Sequence, residues 1–276
     1  MTEVKPNEIL IQMTTLPVVA DHWTKVMLEK YKAEHTPHFV PVGGFGRVIA
    51  VGTQRETALL HKRVLVVEKT REFSDVVINT DAARVFELPE NMTDEAAATL
   101  IQATSALQLV NLVQRSTAPN VFITGENSVI GLYVLQLLQN SGKTLFPIVS
   151  DISQSYFAEK WPMFTRYTAD DLPDELTDDM VMIDAVGSLA LLDHFARHYP
   201  VVQTASVIVR EHEKSPVFSH IPTAFDRTAT EILLKKLASD EVIAPIGAQF
   251  KFDELDAAQA YIKDTRGRGG RVTVTL

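Results

Sequence analysis

The stretch NVFITGENSVIG, residues 120–131, decides the fold. Its first part, Asn120 to Thr124, has the apolar centre of a buried strand and is followed at once by Gly125. After the loop, apolar side chains recur at helical spacing as far as Leu138, and Gly142 then suits a left-handed helix end. A strand, a glycine turn and a helix in this order predict a βα unit of a parallel sheet.

The loop inside this stretch carries the chemistry. Gly125 and Gly131 are six positions apart, and Ser128 stands where a GxGxxG pattern has its middle glycine. A pyrophosphate-binding turn needs small residues where the backbone approaches the phosphates, and free N–H groups at the helix start, here at Val129 and Ile130. The loop therefore predicts a dinucleotide site, and the alternative is a tight βα turn without a ligand.

Further βα units extend the sheet towards the C-terminus. Residues 144–150 and 180–184 read as buried strands, and residues 154–160 read as a helix between them. Strands that alternate with helices indicate a Rossmann-type, doubly wound parallel sheet. Residues 256–262 and 271–276 close the chain as a helix followed by a strand.

The N-terminal part has a different texture. Short β-type runs, at residues 9–11, 47–52, 63–67 and 74–78, are divided by turns and predict a barrel or sandwich. Residues 21–32 differ from this pattern: their apolar side chains recur at helical spacing, which predicts a helix there. We therefore predict an α/β chain of two domains: a β-rich domain at residues 1–95, rejoined by residues 248–276, and a Rossmann domain at residues 96–247.

Composition excludes several functions. The chain has 276 residues, with 26 basic and 35 acidic side chains and a net charge of −9, which argues against a nucleic-acid partner. It has no cysteine, so disulfides and thiolate–zinc sites are excluded, and the histidines lack metal-ligand spacing. The first 20 residues lack the pattern of a secretion signal and no apolar run is long enough to span a membrane, so we expect neither feature. We expect a cytoplasmic protein without a metal or a membrane partner.

Several blocks together resemble the medium-chain dehydrogenase/reductase superfamily. They are GGFGRVIAVG at 43–52, LPENMTDEAAATL at 88–100, the loop at 124–131 and DAVG at 184–187. Within the loop, Asn127 and Ser128 look more like the 2-enoyl-thioester reductases than the quinone oxidoreductases, both zinc-free branches. The resemblance implies a GroES-like β-rich domain beside the Rossmann domain, a nicotinamide cofactor and a homodimer.

The resemblance also assigns cofactor residues after the second strand. Ser150 and Tyr167 match positions that meet the adenosine phosphate of NADPH, and Gln154 takes the place of a basic residue. Asp151 would instead hydrogen-bond ribose hydroxyls, as in NADH-binding proteins. We therefore expect NADPH, with NADH possible. The alternative for Ser150 and Asp151 is an N-cap of the helix at 154–160.

Two further residues are assigned by the same resemblance. Ser105 matches a threonine near the nicotinamide ribose, and its alternative is a polar helix residue between domains. Tyr31 lies at the distance before Gly43 at which enoyl-thioester reductases place a tyrosine that donates to the substrate carbonyl. A phenol suits developing enolate charge, and the alternative is an aromatic that packs the helix at 21–32.

Two functions follow from these residues. The first is a zinc-independent reductase that passes hydride from NAD(P)H to a conjugated carbonyl of a small molecule, either a quinone, an enone or an enoyl thioester. The second is a nucleotide-binding protein without turnover that acts as a sensor or scaffold. Residues 201–209, which lack the family's glycine turn near the nicotinamide, favour the second. A methyltransferase is a weaker third, because such folds do not begin with a β-rich domain.

Overall fold

The computed structural model describes residues 4–18, 43–67, 76–173, 176–265 and 269–276. The chain divides into two compact units. The first unit comprises Met1–Ile101 and Arg227–Leu276, and the second comprises Gln102–Asp226. The contacts thus set the boundaries at 101/102 and 226/227, where the sequence predicted 95/96 and 247/248.

The described residues form the following strands: β1 (Ile9–Val18), β2 (Gly44–Val51), β3 (Arg63–Val66), β4 (Val76–Asn79), β5 (Val85–Glu87), β6 (Asn120–Thr124), β7 (Thr144–Ile148), β8 (Met180–Asp184), β9 (Val201–Ser206), β10 (Phe218–His220), β11 (Ile246–Lys251) and β12 (Arg271–Thr275). Their helices are α1 (Asp94–Ala98), α2 (Ser105–Arg115), α3 (Val129–Leu138), α4 (Gln154–Lys160), α5 (Leu189–His198), α6 (Arg227–Ala238) and α7 (Leu255–Thr265). The strands predicted around residues 9–11, 47–52, 63–67, 120–124 and 180–184 are confirmed.

The first unit is built on a sheet of seven strands in the order β11-β12-β1-β2-β3-β5, with β4 paired to β1. Apart from the parallel pair of β11 and β12, its strands pair antiparallel. Side chains such as Ile9, Ile11, Val48 and Val64 are fully buried in its core. The helix α6 belongs to this unit, which explains why the chain returns to it earlier than predicted.

A capped helix start ties α1 to this sheet. Thr93 caps the helix by accepting a hydrogen bond from the Ala96 amide at 3.1 Å. Asp94 in the first turn accepts hydrogen bonds from Arg63 on β3 and from Thr14 on β1. One carboxyl group thus joins the helix to two strands.

The second unit is built on a parallel sheet of five strands in the order β10-β9-β8-β6-β7. Every residue of β6 and β8 is buried, as expected for central strands of a parallel sheet covered on both faces. The chain runs from β6 to β7 on one side and then crosses to β8 on the other side of β6. The sheet therefore reverses its winding direction at β6, and such a switch point is where open α/β sheets bind ligands.

No helix in the described ranges is long and apolar enough to cross a membrane. Nor do the described side chains include a group of three or more potential metal ligands of the His, Cys, Asp or Glu type. The helix predicted at residues 21–32, and Tyr31 with it, lie outside the described residues.

Candidate functional site

The candidate site lies at the carboxyl edge of the parallel sheet. The register of the strands brings their last residues side by side: Thr124 pairs with Ile148 of β7 and with Asp184 of β8, and Asp184 pairs with Ser206 of β9. The loops that follow these residues must therefore start from one edge. The glycine loop leaves from the central strand.

The two glycines of the loop are required by close packing. Gly125 has a φ of +73°, and a Cβ built on it would lie 2.8 Å from the carbonyl carbon of Ala185. A Cβ on Gly131 would lie 2.2 Å from the carbonyl oxygen of Gly125. The first turn of α3 therefore lies directly against the turn that leaves β6, a contact that only glycine permits.

Ser128 organises the loop through its hydroxyl group. Its Oγ accepts a hydrogen bond from the Gly131 amide at 3.1 Å and donates one to the Gly125 carbonyl at 2.6 Å. It is thus the N-cap of α3, and its hydroxyl is engaged within the loop. The amides of Val129 and Ile130 belong to the first turn, where N–H groups have no partner inside the helix. A loop of this geometry can receive an anion.

The fit to a dinucleotide is tested by two features of these residues. The close contact of Gly131 and Gly125 leaves the backbone of the turn bare of side chains, which a pyrophosphate needs in order to approach. The side chain of Asn127 is buried, and its Oδ1 has no hydrogen-bond partner among the residues that the structure describes. The loop thus provides both a helix start and an unused polar atom, and it fits a dinucleotide.

Glu126 is a buried part of this loop for which no role was predicted. Its side chain is 4% exposed, and its Oε1 accepts a hydrogen bond from Asn127 Nδ2 at 3.0 Å. The sequence did contain a signal that could have drawn attention to Glu126: it is an acidic residue inside a loop predicted to bind phosphates.

Asp184 is a second residue for which the sequence analysis gave no role. The residue is 1% exposed, and its carboxyl group accepts hydrogen bonds from Thr124 Oγ1 at 2.9 Å and from Ser206 Oγ at 2.6 Å. It also accepts from the amides of Val186 and Gly187. The side chain therefore links three adjacent strand ends and shapes the turn after β8. The sequence signal that could have identified Asp184 is its position as an aspartate at the end of a buried strand.

The predicted residues after β7 come together at the same edge. Ser150 Oγ lies 3.0 Å from Ser153 Oγ, and Gln154 Nε2 donates to Asp151 Oδ1 at 3.2 Å. The Tyr167 backbone forms a parallel bridge to Ile148, the last residue of β7. Ser150 and Asp151 are exposed and Tyr167 is half-buried. Ser150 is the N-cap residue of a 3-10 turn, Asp151–Ser153, that leads directly into α4, although its side chain makes no cap bond to a backbone amide. The alternative of a helix cap at Ser150 therefore stays open.

Ser105 begins α2 and is fully buried. Its Oγ has no hydrogen-bond partner within the described ranges. The helix α2 packs against α3, the helix that follows the glycine loop. The structure thus places Ser105 on the helix that packs against α3.

A charged cluster ties the segment after β9 to α5. Asp193 on this helix accepts hydrogen bonds from Lys214 and, at 2.8 Å, from His212 Nε2. These two donors hold the pKa of Asp193 below its ordinary value. On its other side, His212 Nδ1 lies 2.7 Å from Ser215 Oγ, which donates to Thr204 of β9.

No protein-family model matches this chain, and neither does any curated protein.

Comparison of the structure with solved structures finds several of the same fold. The enoyl reductase CurK is 15% identical with a TM-score of 0.77, and the match covers 100% of this chain and 93% of that one. The quinone oxidoreductase of Coxiella burnetii is 15% identical with a TM-score of 0.74, covering 100% and 92%. The alcohol dehydrogenase RspB of E. coli CFT073, complexed with NADH, is 14% identical with a TM-score of 0.76, covering 100% and 94%.

These likenesses show the fold. They confirm the predicted class, a Rossmann-type parallel sheet plus a GroES-like β-rich domain, and at the level of the fold they confirm the resemblance on which that prediction rested.

Proposed function

We propose that this chain, which has the medium-chain dehydrogenase/reductase fold, is an NAD(P)H-dependent reductase of conjugated carbonyl compounds. The observation that carries the proposal is the glycine contact at the switch point of the sheet, where Gly131 lies directly against the Gly125 carbonyl. This contact frees a helix start for a pyrophosphate. The structures of the same fold include an enoyl reductase, a quinone oxidoreductase and a dehydrogenase complexed with NADH, which supports the proposal.

The proposed cofactor contacts follow from the geometry of the edge. The loop from Gly125 to Gly131, with the amides of Val129 and Ile130, would hold the pyrophosphate. The groups after β7, namely Ser150, Asp151, Gln154 and Tyr167, would surround the adenosine ribose, and we propose NADPH ahead of NADH. Ser105 remains a proposed neighbour of the nicotinamide ribose.

The chemistry needs few protein groups. When bound, a reduced nicotinamide supplies the hydride that adds to the β-carbon of the conjugated carbonyl, and a proton completes the saturated product. The protein must orient the substrate and donate a hydrogen bond to its carbonyl oxygen, where negative charge develops. We propose Tyr31 for this donor. We also propose that the reductase works without zinc and as a homodimer.

The proposal is tested first by binding and then by turnover. Thermal unfolding with NADPH, with NADH and without ligand should show a rise in Tm for at least one dinucleotide, because a ligand that binds only the folded state stabilises it. Oxidation of that dinucleotide is then followed with a quinone, an enone and an enoyl thioester. Binding together with turnover of one of these supports the reductase.

A second function, nucleotide binding without turnover, is favoured by one observation. Residues Val201 to Val209 take the place of the family's glycine turn near the nicotinamide, but they contain no glycine and have Gln203 and Thr204 there instead. A chain that binds the dinucleotide but leaves every compound of the panel unreduced would have this function.

A further inference from the structure

Four side chains of the second unit form a continuous hydrogen-bonded cluster. Asp193 of α5 accepts from His212 Nε2 at 2.8 Å, and His212 Nδ1 lies 2.7 Å from Ser215 Oγ. Ser215 Oγ in turn donates to Thr204 Oγ1 of β9 at 2.8 Å. We call these four residues the His212 cluster. It joins a helix, a strand and the segment that connects β9 to β10.

The cluster gives this segment a fixed position. His212 and Thr204 are buried, and both ring nitrogens of His212 are engaged, which sets the orientation of the ring. Lys214 adds a second ion pair to Asp193. Buried polar networks whose members are satisfied make the elements that they join rigid. Residues 212–215 are therefore held against α5 and β9.

The same segment begins with the turn at residues 207–209, which leaves β9 at the carboxyl edge of the sheet. The amides of Ile208 and Val209 donate to Ser206 Oγ at 3.1 and 2.8 Å. His220 Nδ1 of β10 lies 2.9 Å from the Val209 carbonyl oxygen. Since the chain runs from this turn directly into the His212 cluster, a displacement of residues 212–215 would be transmitted to the turn.

This turn lies against the turn that follows β8. A Cβ built on Gly187 would lie 2.4 Å from Ile208 Cγ2, and one built on Gly125 would lie 2.8 Å from the Ala185 carbonyl carbon. The connections after β6, β8 and β9 are therefore in contact in that order along the carboxyl edge. The side chain of Ile208 is 55% exposed, so a ligand at this edge can reach it.

The order of the strands assigns this turn to one half of a dinucleotide. The glycine loop follows β6, and the proposed adenosine contacts follow β7 on one side of it. A dinucleotide whose pyrophosphate lies at the glycine loop extends its other half to the opposite side, over β8 and β9. Since β9 is two strands from β6 and neighbouring strands are about 4.8 Å apart, the turn is about 10 Å away, within reach of a nicotinamide nucleoside.

We infer that His212 is a positioning residue that, through Ser215 and Thr204, holds the turn at residues 207–209 for the nicotinamide half of the cofactor. The inference rests on the proposed function, which places a dinucleotide at this edge. It predicts that the two halves of the cofactor respond differently when the cluster is broken. Contacts to the nicotinamide half weaken, whereas those to the ADP half, at β6 and β7, are kept.

Calorimetric titration with ADP, NADH and NADPH tests this difference. His212→Ala removes the ring, and Ser215→Ala removes only the hydroxyl that links the ring to Thr204. In both variants the affinity for the better-bound dinucleotide should fall about tenfold, as for the loss of one hydrogen bond, while ADP binds within about twofold of the wild type. If the wild type turns over, its kcat should fall about 10²-fold in both variants, because a displaced turn misplaces the reacting ring.

Two further variants are controls. Ser215→Thr keeps the hydroxyl and should restore the dinucleotide affinity that Ser215→Ala loses. His198→Ala removes an exposed histidine in the last turn of α5 and should leave the affinities for ADP and the dinucleotides unchanged. If His212→Ala does not fold, Ser215→Ala carries the test, because it leaves the pair of Asp193 and His212 in place.

Thermal unfolding without ligand distinguishes positioning from a merely structural role. A lower Tm of the cluster variants with an unchanged ratio of ADP to dinucleotide affinity would overturn the inference, and so would an equal loss for ADP. If the wild type binds ADP as tightly as the dinucleotides, the nicotinamide half gains nothing from this turn and the inference is wrong, while nucleotide binding stands. If the wild type binds no dinucleotide, the proposed function fails and the inference falls with it.

Discussion

Thr124 Oγ1 donates a hydrogen bond to Asp184 Oδ1 at 2.9 Å, from one buried strand end to the next. On its other side the same carboxyl group accepts from Ser206 Oγ at 2.6 Å, so three adjacent parallel strands are joined where they leave the sheet. Buried polar groups are costly when unpaired, and here each supplies the partner that the other needs. The edge that starts the glycine loop is therefore held by side chains as well as by the backbone ladder.

Asp184→Ala should destabilise the protein strongly. The substitution leaves two buried hydroxyls and the amides of Val186 and Gly187 without their acceptor, and we expect a loss of about 2–4 kcal/mol in the free energy of unfolding. Urea denaturation measures it. Asp170→Asn, at an exposed position of the same unit, is the control and should change the stability by less than about 0.5 kcal/mol. Equal midpoints for the two variants would remove Asp184 from this role.

The parts of the fold that were predictable are those that local pattern specifies. The strand and helix around the glycine loop were predicted to within a residue, because buried apolar runs and helical spacing are local signals. The end of the second unit was predicted too late because α6 is amphipathic, and amphipathicity does not show against which sheet a helix packs.

The candidate site was predictable in its backbone and less so in its side chains. The roles of Gly125 and Gly131 could be predicted from the sequence, because close packing at these positions requires glycine and leaves a recognisable spacing. The partners of Asp184 are not visible, because Thr124 and Ser206 are distant in sequence and meet it only through the strand register. Glu126 was visible as a residue, but its burial depends on the folded loop.

Asp193 makes stability depend on pH in the acid range. Hydrogen bonds from Lys214 and His212 lower its pKa in the folded protein. A carboxyl group with a lowered folded-state pKa stabilises the fold above its unfolded pKa, about 4, and that contribution is lost as the pH falls through the folded value. Asp193→Asn should therefore be less stable than the wild type at neutral pH, and the difference should shrink at acid pH. Urea midpoints between about pH 3 and pH 7 measure it, and a difference that grows on acidification would contradict this prediction.

Tyr31→Phe tests the proposed donor to the substrate carbonyl. The change removes the hydroxyl and keeps the ring, so cofactor binding should survive. Loss of one oxyanion donor raises the barrier by about 2.7–4 kcal/mol, a 10²–10³-fold drop in turnover. Steady-state NAD(P)H oxidation with an enone or enoyl thioester measures it, beside a nucleotide titration. Turnover within about threefold of the wild type would make Tyr31 a packing aromatic, since a lost donor costs far more.

Gln154→Lys tests the proposed adenosine end of the site. Gln154 begins α4, and its side-chain amide donates a hydrogen bond to Asp151. A lysine at this position would place an ammonium group beside the proposed ribose site. A charge-assisted bond to the 2′-phosphate should favour NADPH over NADH by roughly 1–3 kcal/mol. The ratio of the two dissociation constants measures the effect. Lys160→Gln, at the other end of the helix, is the control that leaves the ratio unchanged, and an unchanged ratio in Gln154→Lys itself would exclude Gln154 from the site.

Gly131→Ala tests the contact that carries the proposed function. The added Cβ would lie 2.2 Å from the Gly125 carbonyl oxygen, so the helix start must move away from the strand and the amides must leave their positions. Dinucleotide affinity should fall at least about tenfold, a cost of about 1.4 kcal/mol. Gly142→Ala is the control: a Cβ there meets nothing within 4 Å, although the φ of Gly142, +78°, is left-handed. That variant should lose some stability to backbone strain and keep its affinity in calorimetric titration. Wild-type affinity in Gly131→Ala would show that the pyrophosphate does not bind at this loop.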